Sequence, residues 1–103
     1  MFGTVARMKL NPGAYEKMQD LMQGFEQREV KGFRFNAVYR SLSDPDEIWL
    51  VVGFDDEASY RANAADPQTD QMAQQYQQLL AEPPEWHDGD LVSMTRAEDR
   101  ASA

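Results

Sequence analysis

Apolar and polar positions alternate from Phe2 to Leu10. Phe2, Thr4, Ala6, Met8 and Leu10 lie on one side, and Gly3, Val5, Arg7 and Lys9 on the other. A period of two is that of a β-strand, here with one mainly apolar face. Asn11-Pro12-Gly13 then turns the chain. Asn11 reads as a helix N-cap and Pro12 as the first helical residue, where a missing N–H costs nothing. Tyr15, Met18, Leu21, Met22 and Phe25 follow at helical spacing and predict a helix that stops before Gly32. In the next predicted strand Phe33, Phe35, Ala37 and Tyr39 share one face, and Arg34, Asn36, Val38 and Arg40 the other. A polar link through Asp44-Pro45-Asp46 leads to a third strand, Ile48 to Phe54, so the two strands read as a hairpin.

The second half is more helical. Asp55 and Asp56 suit a helix N-terminus, and Ala58, Ala62 and Ala65 give a short helix with a thin apolar edge. Asp66-Pro67 repeats the device of a cap followed by proline, and Met72, Tyr76, Leu79 and Leu80 form the next helical stripe. Pro83-Pro84 ends it. Glu85 to Gly89 reads as a compact connection and Asp90 to Thr95 as the last strand. The order β-α-β-β-α-α-β, with the paired helices taken as one broken crossover, is a ferredoxin-like α+β arrangement. Residues 1–96 form one domain in this reading, and 97–103 a frayed tail.

One face of such a sheet is covered by its helices. The other would carry Val5, Val38, Trp49, Val51 and Val92, a contiguous apolar patch with no segment left to cover it. The economical cover is a second copy, so a homodimer through Val38, Trp49 and Val51 is expected.

Charge narrows the partners. A formal net charge of -8 repels nucleic acid and anionic membranes, and no basic stripe offsets it. With no cysteine, disulfides, thiolate nucleophiles and Cys-bound metals are excluded. No apolar run is long enough for a membrane span, and the first ten residues do not resemble a secretory signal, so a cytoplasmic location is the default.

Candidate chemistry is sparse. His87 is the only histidine, with the adjacent Asp88 its one obvious orienting partner, and Trp86-His87 reads first as a loop that packs the tryptophan against the last strand. The carboxylates fall in surface runs without metal-ligand spacing, and no phosphate loop is present, so neither metal nor cofactor is expected. More informative is the aromatic and thioether load of five Phe, four Tyr and six Met. Phe35, Tyr39, Phe54, Met22, Phe25 and Met72 could simply fill a core, or they could line an apolar pocket between sheet and helices. In such a pocket Tyr39, Tyr60, Asn63 and Tyr76 would supply hydrogen bonds, with Asn36 and Arg7 available only from the other face or a rim and His87 a base only if it folds over the mouth.

The stretches VVGFDDEASYRANAADP and EPPEWHDGDLV resemble the antibiotic biosynthesis monooxygenase-like (ABM) family, and the resemblance covers about residues 2 to 96. It implies a dimeric α+β barrel in which two ferredoxin-like sheets face each other, each chain keeping a cavity under its helices. Some members oxygenate electron-rich aromatic or polyketide substrates without metal or flavin, others bind and degrade heme, and many have no established activity. Heme degraders resemble one another in a first-strand asparagine, a helical tryptophan and a helical histidine. This chain has none of these at those places, which counts against heme. The resemblance therefore implies a cofactor-independent monooxygenase acting through Tyr60, Asn63, Tyr76 and His87. The alternative is a non-catalytic small-molecule-binding or purely structural dimer.

Overall fold

A computed structural model describes residues 1–26 and 28–97, with the side chains of residues 25 and 26 left out. The elements are β1 (Phe2–Lys9), α1 (Tyr15–Glu26), β2 (Phe33–Arg40), β3 (Glu47–Phe54), α2 (Glu57–Ala65), α3 (Pro67–Gln77) and β4 (Glu85–Asp90). The strands form one antiparallel sheet in the order β2-β3-β1-β4. This is the ferredoxin-like topology, with the second crossover broken into α2 and α3.

The expected barrel does not form. Closing a sheet requires its edge strands to pair, and here β2 and β4 lie at opposite edges of an open sheet. The patch expected on the outer face also changes membership. β2 carries a bulge between Phe33 and Phe35, and one extra residue reverses the alternation beyond it. Asn36, Val38 and Arg40 pair with Val52, Leu50 and Ile48, whose side of the sheet is the one under the helices. Phe35, Ala37 and Tyr39 share the outer face with Val51 and Trp49. Val38 therefore leaves the proposed dimer patch, and Phe35 and Tyr39 leave the proposed pocket lining. The Arg40 guanidinium lies 3.8 Å from the centre of the Tyr15 ring on α1. Phe35 in turn fills the notch at Gly53, where an added Cβ would sit 2.2 Å from its ring.

Two local expectations are also corrected. Asn11 does not cap α1. Its carbonyl accepts from Ala14 N at 3.0 Å across a turn with Pro12 second and Gly13 third. Gly13 has φ +79°, the positive value that position of a type II turn demands. The last strand is Glu85–Asp90 rather than Asp90–Thr95, because the free edge of β1 recruits it. Arg7 pairs with Glu85, Val5 with His87 and Thr4 with Asp88. Val92, 92% exposed, lies beyond the strand and outside the sheet face.

The Asp66-Pro67 junction forms as expected. Asp66 closes α2 and caps α3, its carboxylate accepting from Gln68 N at 2.8 Å with Pro67 at the first turn. Asp56 caps α2 by accepting from Ser59 N at 2.8 Å, and those bonds hold its carboxyl below the usual range. The core is Ala6, Met8, Leu10, Ala14, Met18 and Ile48, with Tyr15, Met22, Leu50, Tyr76, Leu79 and Leu80 packed around it. Among the described residues, no helix is long and apolar enough to cross a membrane. The tail beyond residue 97 lies outside the described residues.

Candidate functional site

The apolar layer is filled at one end and hollow at the other. A chamber of about 460 Å³ opens between the sheet and helices α1, α2 and α3. Its size falls within the ordinary range of small-molecule sites, about 300–1,000 Å³. β1 and β3 supply the floor through Thr4, Met8, Leu50, Val52 and Phe54, while Met18, Leu21 and Met22 of α1 form one wall. Met72, Ala73 and Tyr76 of α3 form another. Asn63 of α2 and Asn36 of β2 add amides, and Trp86 and Asp88 of β4 complete the rim.

Tyr60 and Arg61 meet Asp88 at the β4 side. Tyr60 donates its hydroxyl proton to Asp88 Oδ1 at 2.9 Å. Its ring packs edge-on against Phe54, with centroids 5.7 Å apart, and against Phe2 at 5.2 Å. Burial first, and then the bond to the Asp88 carboxylate, push the Tyr60 phenol up to about 12. It is therefore a donor at neutral pH and not a base. Arg61 Nη1 stands 3.7 Å from Asp88 Oδ2 and shares its charge with Glu57. Asn63 Oδ1 accepts from Thr69 Oγ1 at 3.0 Å, which ties the start of α3 to α2 and fixes the amide over the chamber. Burial alone raises the Tyr76 phenol.

Thr4 is 5% exposed, and its hydroxyl has no hydrogen-bond partner. It lies near enough to Tyr60 to temper the rise of that phenol but outside hydrogen-bond geometry. Thr4 and Asp88 are cross-strand partners on the same face. A second cavity of about 410 Å³, between the loop before β2 and α2, shares Asn63 with the chamber.

Of the residues singled out from sequence, Tyr60, Asn63, Tyr76, Phe54, Met22 and Met72 line the chamber together. The Phe25 side chain lies outside those described. Phe35 and Tyr39 lie across the sheet, as the bulge dictates. His87 is there too, opposite Val5, with Nε2 3.9 Å from Glu85 Oε1 and its side chain 62% exposed. From that face it cannot fold over the chamber mouth. Sequence reasoning missed Asp88, Trp86, Thr4 and Arg61, and placed Asn36 on the other face, from which the bulge turns it into the chamber. The alternation of Trp86, Asp88 and Asp90 opposite Ala6, Thr4 and Phe2 was the available signal for β4. Among the described residues, no three Asp, Glu or His side chains are grouped to hold a metal ion.

Known proteins share this architecture. SnoaB, a cofactor-independent oxygenase from Streptomyces nogalater solved as a point variant, is 15% identical with a TM-score of 0.78, covering 90% of this chain and 94% of that one. A candidate antibiotic biosynthesis monooxygenase from Chloroflexus aurantiacus is 21% identical with a TM-score of 0.78, covering 92% and 96%. Another from Deinococcus radiodurans is 13% identical with a TM-score of 0.78, covering 93% and 97%. No curated protein sequence matches the chain. At these identities the likeness is one of fold, but the model of the family described as antibiotic biosynthesis monooxygenase matches residues 1–80. The chain belongs to the antibiotic biosynthesis monooxygenase family.

Proposed function

We propose that this protein oxygenates a small electron-rich aromatic, a phenol or quinol, bound in the chamber between sheet and helices, and that the substrate itself supplies the electrons. The reading is carried by the chamber, an apolar space with Tyr60, Asn63, Tyr76 and Asp88 among its lining. The likeness to SnoaB, itself described as a cofactor-independent oxygenase, supports the cofactor-free form. In such a reaction a ring carbon bearing hydrogen becomes a quinone carbonyl. One atom of O₂ enters the product and the other leaves as water, so the phenol gives up four electrons. The protein has to orient the ring, accept the hydroxyl proton and stabilise the anion that meets oxygen. Asp88 is the proposed acceptor, and Asn63 and Tyr76 of the same chamber are the proposed donors to the charge that develops on the ring.

The test is oxygen uptake with a dihydroxynaphthalene, using labelled O₂ to follow one atom into the product. Asn63→Ala and Tyr60→Phe should each lower turnover about 10- to 100-fold. Turnover in both at the wild-type rate would sink the assignment. Tight binding without turnover would favour the second reading, a non-catalytic binding protein, which the same chamber supports.

The outer sheet face bears Phe35, Ala37, Tyr39, Trp49, Val51 and Val5, with Tyr39 65% and Val5 40% exposed. A second copy packed on this open sheet is the cover we propose. Sedimentation of the wild type against Tyr39→Glu tests it, the variant being expected to dissociate at concentrations where the wild type is a dimer.

A further inference from the structure

β4 has little of its own to hold it, yet it carries Trp86 and Asp88 of the chamber lining. All six of its residues are exposed, and its only neighbour in the sheet is β1. The connection that delivers it is no better anchored. Ala81 N donates to Lys9 O at 2.8 Å, but Pro83 and Pro84 then have no N–H to offer the sheet. A side chain on the face turned away from the helices spans this gap. Arg7 of β1 stands opposite Glu85 in register. Its Nη1 donates to Glu82 Oε1 in the connection at 3.0 Å and to Glu85 Oε2 at the start of β4 at 3.2 Å. Its Nε donates to Glu47 Oε2 on β3 at 2.9 Å, and the other oxygen of that carboxylate accepts from Trp49 Nε1 at 3.1 Å. One planar guanidinium thus joins β3, β1, the connection and β4.

We infer that Arg7, from the far side of the sheet, is the positioning residue for the β4 rim of the chamber: by holding Glu82 and Glu85 it sets where Trp86 and Asp88 stand. Trp86 follows Glu85 directly, and Asp88 shares its face, opposite Ala6 and Thr4. Asp88 in turn holds the Tyr60 hydroxyl at 2.9 Å. The bearing on function rests on the chamber being the binding site, as proposed above. Isolated ion pairs at a surface contribute little. Here three carboxylates share one cation, two of them through the same nitrogen. Removing Arg7 therefore does more than lose an attraction. It leaves three like charges facing one another, and their repulsion pushes the connection and the start of β4 away from β3. Lys9, two residues along the same face, is a control, because its ammonium pairs with Asp44 in the link between β2 and β3.

Tyr60 reports such a displacement without any ligand, so a negative result leaves the reading of the chamber untouched. Burial, and then the bond to Asp88, hold its phenol at about 12. The test is alkaline titration followed by tyrosinate absorbance, with Tyr60→Phe identifying the late component. Arg7→Gln should lower the Tyr60 midpoint by about 0.5 or more, toward the ordinary value near 10, as the Asp88 bond loosens. Charge alone predicts the opposite sign, since losing a cation favours the protonated phenol. Lys9→Gln removes a cation from the same face and should leave the midpoint unchanged or slightly raised. Should Arg7→Gln fail to fold, Arg7→Lys serves in its place: it keeps the charge, loses the fork and should lower the midpoint in the same direction. A midpoint unchanged or raised in the Arg7 variant overturns the inference, and so does an equal fall in Lys9→Gln. Where the Arg7 variant unfolds before Tyr60 titrates, amide exchange near neutral pH decides instead. Exchange about tenfold faster in β4, with the β1–β3 ladder unchanged, is the expected result, and uniform acceleration or none overturns the inference.

Discussion

Two ends of one apolar layer use similar residues to opposite effect. At the end near the first turn, Ala6, Met8, Leu10, Met18 and Ile48 are each no more than 2% exposed and pack against one another. At the other end Phe54 is just as buried, 1% exposed, yet it borders about 460 Å³ of space. Met8 and Met18 belong to both, forming the boundary where packing gives way to chamber. The difference lies in the helices. Met18 of α1 and Ala14 just before it pack down onto β1, whereas neither α2 nor α3 contains a fully buried residue. Small residues such as Ala64 on α2 and Ala73 on α3 give these helices little to fill the layer with. Stability is concentrated where side chains interlock, and binding where they do not reach.

The contrast is most sharply tested by truncation. Ile48→Ala at the packed end should cost about 2–5 kcal/mol, read from urea unfolding. Met72→Ala on the chamber wall should cost about 1 kcal/mol or less, because its side chain already faces space. Equal losses would mean that the chamber closes in solution. Enlargement inverts the comparison. Ala6→Leu forces extra volume into a filled site and should cost about 1–3 kcal/mol. Ala73→Leu should leave the unfolding midpoint nearly unchanged while weakening ligand binding.

Smaller effects sharpen the hollow end. Asp66→Ala removes the cap at the α2–α3 junction and should cost about 1 kcal/mol, with the loosening confined to the two helices over the chamber. Alkaline titration addresses Tyr60. A phenol held up to about 12 in the folded chain titrates nearer 10 when unfolded. The folded state then binds the proton more tightly, so this contribution to stability is complete below about pH 10 and is lost as pH rises toward 12. Tyr60→Phe should remove the late component from the tyrosinate absorbance and flatten that decline. Tyr76, also raised by burial, would leave a smaller remnant.

How much could be read in advance follows the same division. Strands β1 and β3 declare themselves because their apolar faces are buried, and burial is what imposes a strict alternation. The Asp66-Pro67 junction was legible because capping is local chemistry. β4 was not, since Glu85, His87, Asp88, Gly89 and Asp90 have poor strand propensity and are held by β1's unpaired edge rather than by their own pattern. Tyr60, Asn63 and Tyr76 line the chamber because helical spacing carried them to that face. Asp88 and Trp86 were missed with the strand that bears them. Asn11 misled because a proline after a capping residue fits a helix start as well as a type II turn, and only the glycine that follows separates the two.

The bulge at Arg34 has a further bearing on how this chain could change. Its one additional residue decides which half of β2 looks inward, so Asn36 lines the chamber and Phe35 the exterior only by virtue of a count. A substitution that let β2 pair in regular register, with Arg34 opposite Gly53, would trade the two allegiances along the rest of the strand, altering the chamber lining and the outer face in one event. A heritable change of specificity in this lineage need not touch any residue of the chamber at all.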